Sequence, residues 1–300
     1  MNDQHKKIIR IHYAAFRPDF YKEKESFFIH RILQQKYAIV EDRENPEFLI
    51  CGNYGDAHSA YHCVKIFYTG ENITPDFNIY DYAIGFDEIV FADRYIRVPL
   101  YRQIDIHPHS ISKSQKKFCN FLYSNSQLAD PVRVNFFKLL SEYKRVDSGG
   151  AVLNNIGECV GERDQDRIAW QKEYKFSIAF ENSSKPGYTT EKILFALQAH
   201  TIPIYWGNPE IAKDFNAQRF INCHDFSSFK EVVEKIKEID DDDGKYEAML
   251  SHPWFPEGRQ PPPLAEDPEV ILFLTNIVEQ GPKKARRTVK YGRTAVYTRR

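Results

Sequence analysis

Residues 176–207 read FSIAFENSSKPGYTTEKILFALQAHTIPIYWG. Phe176 to Phe180 is an apolar run of strand character. It leads into a polar loop that contains Pro186 and Gly187 and ends at Thr189-Thr190. A helix is predicted from Glu191, and Ile202 to Trp206 is a second apolar strand. The order is strand, loop, helix, strand, with the loop at the carboxyl end of a strand. Open α/β sheets bind their ligands at that end.

The first turn of this helix is unusual. Thr189 or Thr190 suits the N-cap, where a hydroxyl accepts an orphan backbone N–H. Glu191 complements the positive end of the helix dipole, whereas Lys192 opposes it at a cost of ~0.3–1 kcal/mol. A bound anion reverses that sign, because exposed N–H groups and a lysine together cradle a phosphate. The other reading has Lys192 in water, paired with a carboxylate elsewhere.

Outward from this unit the alternation continues. Strands are predicted at Lys7 to Tyr13, Glu47 to Cys51, Val64 to Thr69, Tyr80 to Phe86 and Glu88 to Phe91, with helical spacing over Ser26 to Tyr37. Val132 to Tyr143 reads as an amphipathic helix, and Ser148-Gly149-Gly150 as a break and hinge. Beyond it come a strand at 219–223, a helix over Ser227 to Ile239, a polar break at Asp240 to Asp243 and a proline-rich stretch at 251–268. Asp267-Pro268 opens a last helix, a cap followed by an N1 proline. Strands alternating with helices predict parallel sheets with covered faces, arranged as two Rossmann-like halves across a cleft.

A hydrophobic content of 42% with 14% aromatics is enough for buried cores. Mean hydropathy is −0.55, and no apolar run is long enough to cross a bilayer. The amino terminus lacks an apolar signal core, so a cytoplasmic chain is expected. The five cysteines are scattered without a C-x-x-C pair, which argues against a disulfide frame or zinc knuckle. Residues 281–300 hold eight Lys/Arg and no Asp or Glu, so removing them from a chain of net charge −1 leaves a body at −9.

The string FEN…PGYTTEKI…A…HTIPIYWG resembles the nucleotide-binding signature of the α1,3/4-fucosyltransferases, glycosyltransferase family ten. FYTGENITPDFNIYDYAIGFD (67–87), YSNSQLADPVRVNFFKLLSEYKRVDSGG (123–150) and KDFNAQRFINCHDFSS (213–228) are similar to further motifs of the family. The resemblance implies an α/β fold of the GT-B-like type, two Rossmann-like domains facing a central cleft. The expected organisation is an acceptor-side domain at 1–150, a GDP-fucose-binding domain at 151–265, a C-terminal helix at 266–280 and a basic tail at 281–300.

By that resemblance Arg133 and Lys192 contact the donor pyrophosphate, and Glu191 accepts from the ribose hydroxyls. Asn182, Tyr188, Thr189, Thr190 and Asn125 are further donor-binding candidates. A planar guanidinium can grip two phosphate oxygens. From the residues alone, Arg133 also reads as a surface arginine paired with Asp130 or Asp147. Glu71 in YTGEN matches the family's general base, and a useful base has its pKa raised by partial burial. Asp81 and Asp87 are reserve candidates. Transfer from GDP-β-L-fucose with inversion to an N-acetyllactosamine-type acceptor is implied, with acceptor choice in the loops Tyr13 to Phe20 and Asn53 to His62. An α1,4 or related transferase is the nearer alternative, and a sugar-nucleotide or glycan-binding module without turnover the more distant one.

No metal site is expected and no cofactor required. Asp240 to Asp243 reads as a solvated acidic loop. Of the histidines His58, His62, His107 and His109, the first two are four apart and could share a helix face, but the metalloprotease glutamate neighbour is absent. Mn²⁺ or Mg²⁺ at the diphosphate stays compatible, as a stimulant. The basic tail suits an anionic membrane surface at up to ~1 kcal/mol per cation, which implies peripheral attachment at the inner face of the plasma membrane. Nucleic-acid binding is the other use of such a run and is not expected here.

Overall fold

The computed structural model describes residues 6–106, 116–125, 127, 129–161, 163–287 and 298–299. The chain forms two compact units: residues 1–103 together with 261–300, and residues 104–260.

The first unit contains β1 (Lys7–Ala14), α1 (Phe20–Glu23), α2 (Phe28–Lys36), β2 (Tyr37–Glu41), β3 (Phe48–Cys51), β4 (Val64–Tyr68), β5 (Tyr82–Gly85), β6 (Ile89–Val90) and β7 (Tyr95–Arg97). Six of these strands form one sheet in the order β2-β1-β3-β4-β5-β7, every pair parallel. All four residues of β3 and of β5 are buried, as expected where a parallel sheet is covered on both faces. Helix α2 buries Phe28, Ile29, Ile32 and Leu33 against the sheet.

The second unit contains β8 (Lys117–Phe121), α3 (Val132–Ser141), β9 (Val146–Ser148), α4 (Asp164–Gln171), β10 (Tyr174–Phe180), α5 (Glu191–Gln198), β11 (Ile202–Trp206), β12 (Ile221–Asn222), α6 (Phe229–Asp240) and α7 (Asp243–Ser251). Its sheet runs β12-β11-β10-β8-β9, again all parallel. Phe136, Leu140, Val232, Ile236 and Leu250 from α3, α6 and α7 pack with the strands in one core. Ile168 of α4 packs with Phe195 of α5 in another.

The last helix, α8 (Pro268–Ala285), returns to the first unit. Asp267 caps it, its Oδ1 accepting from the N–H groups of Glu269 (3.0 Å) and Val270 (3.4 Å). Val270, Leu274, Ile277 and Val278 are buried along one side, the i, i+4, i+7, i+8 stripe of an amphipathic helix.

Three expectations are corrected. The unit boundary falls at 103/104, not at 150, because β8, α3 and β9 belong to the second sheet: Cys119 pairs with Phe176, and Asn120 with Asp147. Gly149-Gly150 is no hinge. Both residues are buried, and a Cβ on Gly150 would lie 2.1 Å from the Tyr123 carbonyl oxygen, so glycine serves close packing there. The segment 281–300 does not begin as a tail. Helix α8 continues through a kink at Gly281 (φ 74°), and Arg287 then docks on the first unit. Its N–H donates to Asp81 Oδ1 (2.6 Å) and its guanidinium to Asp93 Oδ2 (2.7 Å). Arg286 donates to the His62 carbonyl.

The acidic run is also corrected. Asp240 is buried and accepts from Lys144 (2.8 Å) and Lys175 (3.1 Å). Burial opposes its charge, the two lysines favour it, and the net pKa is lowered. Asp242 caps α7, accepting from the Lys245 N–H (3.1 Å).

Helix α5 ends in a Schellman motif. Thr201 N–H donates to the Ala196 carbonyl and His200 N–H to that of Leu197, with His200 left-handed at φ 54°, a position that favours glycine. Burial, with the charges of Arg219 and Lys116, pushes the His200 imidazole down to about 4. The folded state therefore binds fewer protons there than the unfolded chain. Stability is lost as pH falls from the ordinary histidine value toward 4, by ~1 kcal/mol because this ring is partly solvated. His200→Gly should raise the thermal midpoint, and more at pH 5 than at pH 7.5. An equal shift at both pH values would contradict the electrostatic part.

Candidate active site

At the carboxyl ends of β8 and β10 a cavity of about 500 Å³ opens in the second unit. Its lining includes Asn125, Arg133, Asn182, Glu191 and Lys192, five of the predicted donor residues, with Arg167, Gln171 and Phe195 among the others.

Arg133 sits in the first turn of α3 and is 2% exposed. Its guanidinium stacks on the Tyr123 ring, 3.9 Å from the centroid. Nη2 donates to the Phe180 carbonyl (3.0 Å) and Asn182 Oδ1 (2.7 Å), and Nη1 to the Asn125 carbonyl (3.4 Å). Nε is buried without a partner, and no carboxylate pairs with Arg133 among the described residues. The surface-pair reading is therefore overturned. Asp130 Oδ1 accepts from the Val132 N–H, and Asp147 from Arg145 and Tyr174. A guanidinium held by neutral acceptors keeps its full charge toward the cavity.

Lys192 is not a bare phosphate ligand. Its Nζ lies 2.8 Å from the Thr190 hydroxyl, 3.2 Å from Glu181 Oε2 and 3.3 Å from Glu191 Oε1. Burial opposes the ammonium, but the two carboxylates outweigh it and its pKa is raised. Glu191 is lowered: burial pushes it up, and Lys192 and the backbone N–H overcome that.

Glu181, which the sequence reading did not single out, organises this turn. It follows β10 directly, has no exposed surface, and accepts from the Thr190 N–H and hydroxyl, both at 2.7 Å. The N-terminus of α5 thus already holds an internal anion. Burial raises the Glu181 pKa against the pull of Lys192. Its signal was a carboxylate placed at the end of an apolar strand, three residues beyond Ile178. Glu181→Gln should destabilise the chain by ~1–3 kcal/mol, since it leaves Lys192 short of a buried partner. Glu191→Gln, at a partly exposed carboxylate, should cost less than ~1 kcal/mol. Denaturant titration of both compares them, and equal losses would contradict the assignment.

Tyr188, Thr189 and Thr190 do not line the cavity. All three are buried. The Thr189 hydroxyl donates to Asp214 (3.3 Å) and accepts from Asn208 (3.1 Å). The Thr190 side chain serves Glu181 and does not accept a helix N–H, so the expected N-cap bond is absent at this residue.

Glu71 belongs to the first unit, in the loop after β4. It is exposed rather than partly buried, and it accepts from the Tyr54 hydroxyl (3.3 Å). Gly70 packs against Leu100, where a Cβ would come within 2.8 Å of that side chain. The reserve bases are structural. Asp81 is buried and accepts from the Lys65 and Arg287 N–H groups, and buried Asp87 accepts from Thr74. His107 and His109 lie outside the described residues, as do 288–297 of the basic segment.

Residues 11–104 match the family model described as the alpha-(1,3)-fucosyltransferase FucT N-terminal domain, and residues 112–255 that of glycosyltransferase family 10 (fucosyltransferase), C-terminal part. The junction between the two matches coincides with the unit boundary. The alpha-(1,3)-fucosyltransferase FucT of Helicobacter pylori is 35% identical over 275 residues, covering 76% of this chain and 56% of that relative. The chain thus spans little more than half the length of that relative. A crystal structure of an α1,3-fucosyltransferase with GDP matches at TM-score 0.77 and 30% identity, over 95% of this chain and 94% of that one. Another with GDP-fucose matches at 0.76 and 28%, over 98% and 95%. Two parallel-sheet α/β units with these matches constitute the GT-B type of fold. The chain belongs to glycosyltransferase family 10, the fucosyltransferases.

Proposed function

We propose that this chain transfers L-fucose from GDP-β-L-fucose, with inversion, to the 3-hydroxyl of N-acetylglucosamine in lactosamine-like glycans such as those of lipopolysaccharide. The observation that carries the reading is Arg133: a buried guanidinium, unopposed by any carboxylate among the described residues, lining a cavity at the carboxyl ends of β8 and β10. The family's GDP and GDP-fucose complexes support a sugar nucleotide as its ligand.

The acceptor oxygen attacks the anomeric carbon as the bond to the β-phosphate oxygen breaks, and the electron pair leaves with GDP. Glu71 takes the hydroxyl proton. Arg133 and Lys192 stabilise charge growing on the departing diphosphate, in a site where preorganised donors act strongly. Glu191 holds the ribose hydroxyls. One displacement turns the β donor into an α product, so no covalent nucleophile is required. Arg133 carries most of the neutralisation, because Glu181 and Glu191 already offset the Lys192 charge; turnover is proposed without a required metal, with Mn²⁺ or Mg²⁺ at most stimulating.

Acceptor-dependent GDP release from GDP-fucose, with linkage analysis on type-one and type-two disaccharides, tests this. GDP-fucose binding without release favours a binding module, and a 4-linked product favours the α1,4 alternative. A cytoplasmic chain held peripherally at the inner membrane face is part of the same proposal. Because Arg286 and Arg287 dock on the first unit and Thr298 and Arg299 pair with β6, the fair comparison for liposome sedimentation is the full chain against one with Lys290 and Arg293 replaced by glutamine. Equal partitioning of both forms would remove the anchor.

A further inference from the structure

Gln171, at the end of α4, is 7% exposed and lines the cavity. Its Oε1 is buried and has no hydrogen-bond partner. A polar chain fixes which way this amide points. Asn120 Nδ2 donates to the Phe176 carbonyl (3.1 Å) and the Ser177 hydroxyl (2.7 Å), which lies 2.9 Å from that of Thr201. The remaining Asn120 group, Oδ1, is an acceptor, and Gln171 Nε2 faces it at 3.4 Å. Turning the Gln171 amide over would set two carbonyl oxygens against each other. Oε1 is therefore held as an acceptor, and leaving a buried acceptor unpaired is unfavourable.

The cavity lining combines apolar side chains, Leu122, Val160, Ile178 and Phe195, with polar ones that include Ser124 and Arg167. A cavity with apolar walls and an acceptor fixed in orientation suits a planar heterocycle that presents an N–H donor at its edge. On the GDP-fucose reading above, on which this rests, that heterocycle is guanine. We propose that Gln171 is a specificity-determining residue whose Oε1 accepts from the 2-amino group of the donor's guanine. That exocyclic group projects from the ring edge and is the donor best able to reach a recessed oxygen.

The test is equilibrium titration of the full chain with GDP and with IDP, which is identical but for the missing 2-amino group. The native chain should bind GDP about tenfold more tightly than IDP. Gln171→Met should bring GDP down to the IDP affinity and leave IDP within twofold. Equal binding of GDP and IDP by the native chain would overturn the proposal without any variant, so a folding defect in Gln171→Met cannot shelter it. A GDP preference that survives Gln171→Met would overturn it as well. If the native chain binds neither nucleotide, the GDP reading itself fails, a separate result.

Discussion

Arg133→Ala is expected to lower kcat/KM by ~10²–10³ and to weaken GDP binding by at least tenfold. The reasoning is electrostatic. Transferring a sugar from a diphosphate leaves negative charge on the leaving group, and removing one preorganised donor to such charge costs ~2.7–4 kcal/mol. Lys192 cannot replace it, because Glu181 and Glu191 already hold that ammonium at 3.2 and 3.3 Å. Arg133→Lys should recover only a small part. A lysine keeps the charge but cannot stack on Tyr123 while also reaching Phe180, Asn125 and Asn182. Steady-state kinetics with GDP titration would check this, and near-native kcat/KM in Arg133→Ala would remove Arg133 from the site.

The second large effect is expected at Glu71. Glu71→Gln should reduce kcat by ~10²–10⁴, the usual contribution of a general base, while GDP affinity stays within twofold. The split follows from where the residues sit: every residue lining the cavity belongs to the second unit, and Glu71 to the first. Glu71 is exposed and bonded to Tyr54 in the chain without substrate, so the desolvation that would strengthen it as a base must come with the acceptor. Tyr54→Phe should therefore have a much smaller effect than Glu71→Gln. Turnover by Glu71→Gln at near-native rates would eliminate it as the base.

Much of the fold was legible because local signals and tertiary pairing agree. The apolar runs at 176–180 and 202–206 became β10 and β11, Glu191 opened α5, and Asp267-Pro268 capped α8. The unit boundary was not legible. The connecting residues 104–116 contain no glycine, whereas Gly149-Gly150 looks like punctuation and is packing. Strand–helix alternation is the same on both sides, so only strand pairing assigns β8 to its sheet. The return of α8 to the first unit is a long-range choice of the same kind.

Two separate motifs nominated Arg133, Asn125, Asn182, Glu191 and Lys192, and the fold gathers all five on one cavity. The motifs could not tell cavity-facing residues from supporting ones, which is why Thr189 and Thr190 turned out to bond within the protein. Glu181 and Gln171 escaped because their roles arise across elements: Glu181 from the fold-back of the β10–α5 loop, Gln171 from a polar chain spanning α4, β8 and β10.

The most direct test is NMR analysis of the product formed from GDP-β-L-fucose and N-acetyllactosamine by the full chain, with released GDP measured alongside. The account predicts one fucose, α-linked to O3 of N-acetylglucosamine, for each GDP released. GDP release that is indifferent to acceptor, or a β-linked product, would contradict it.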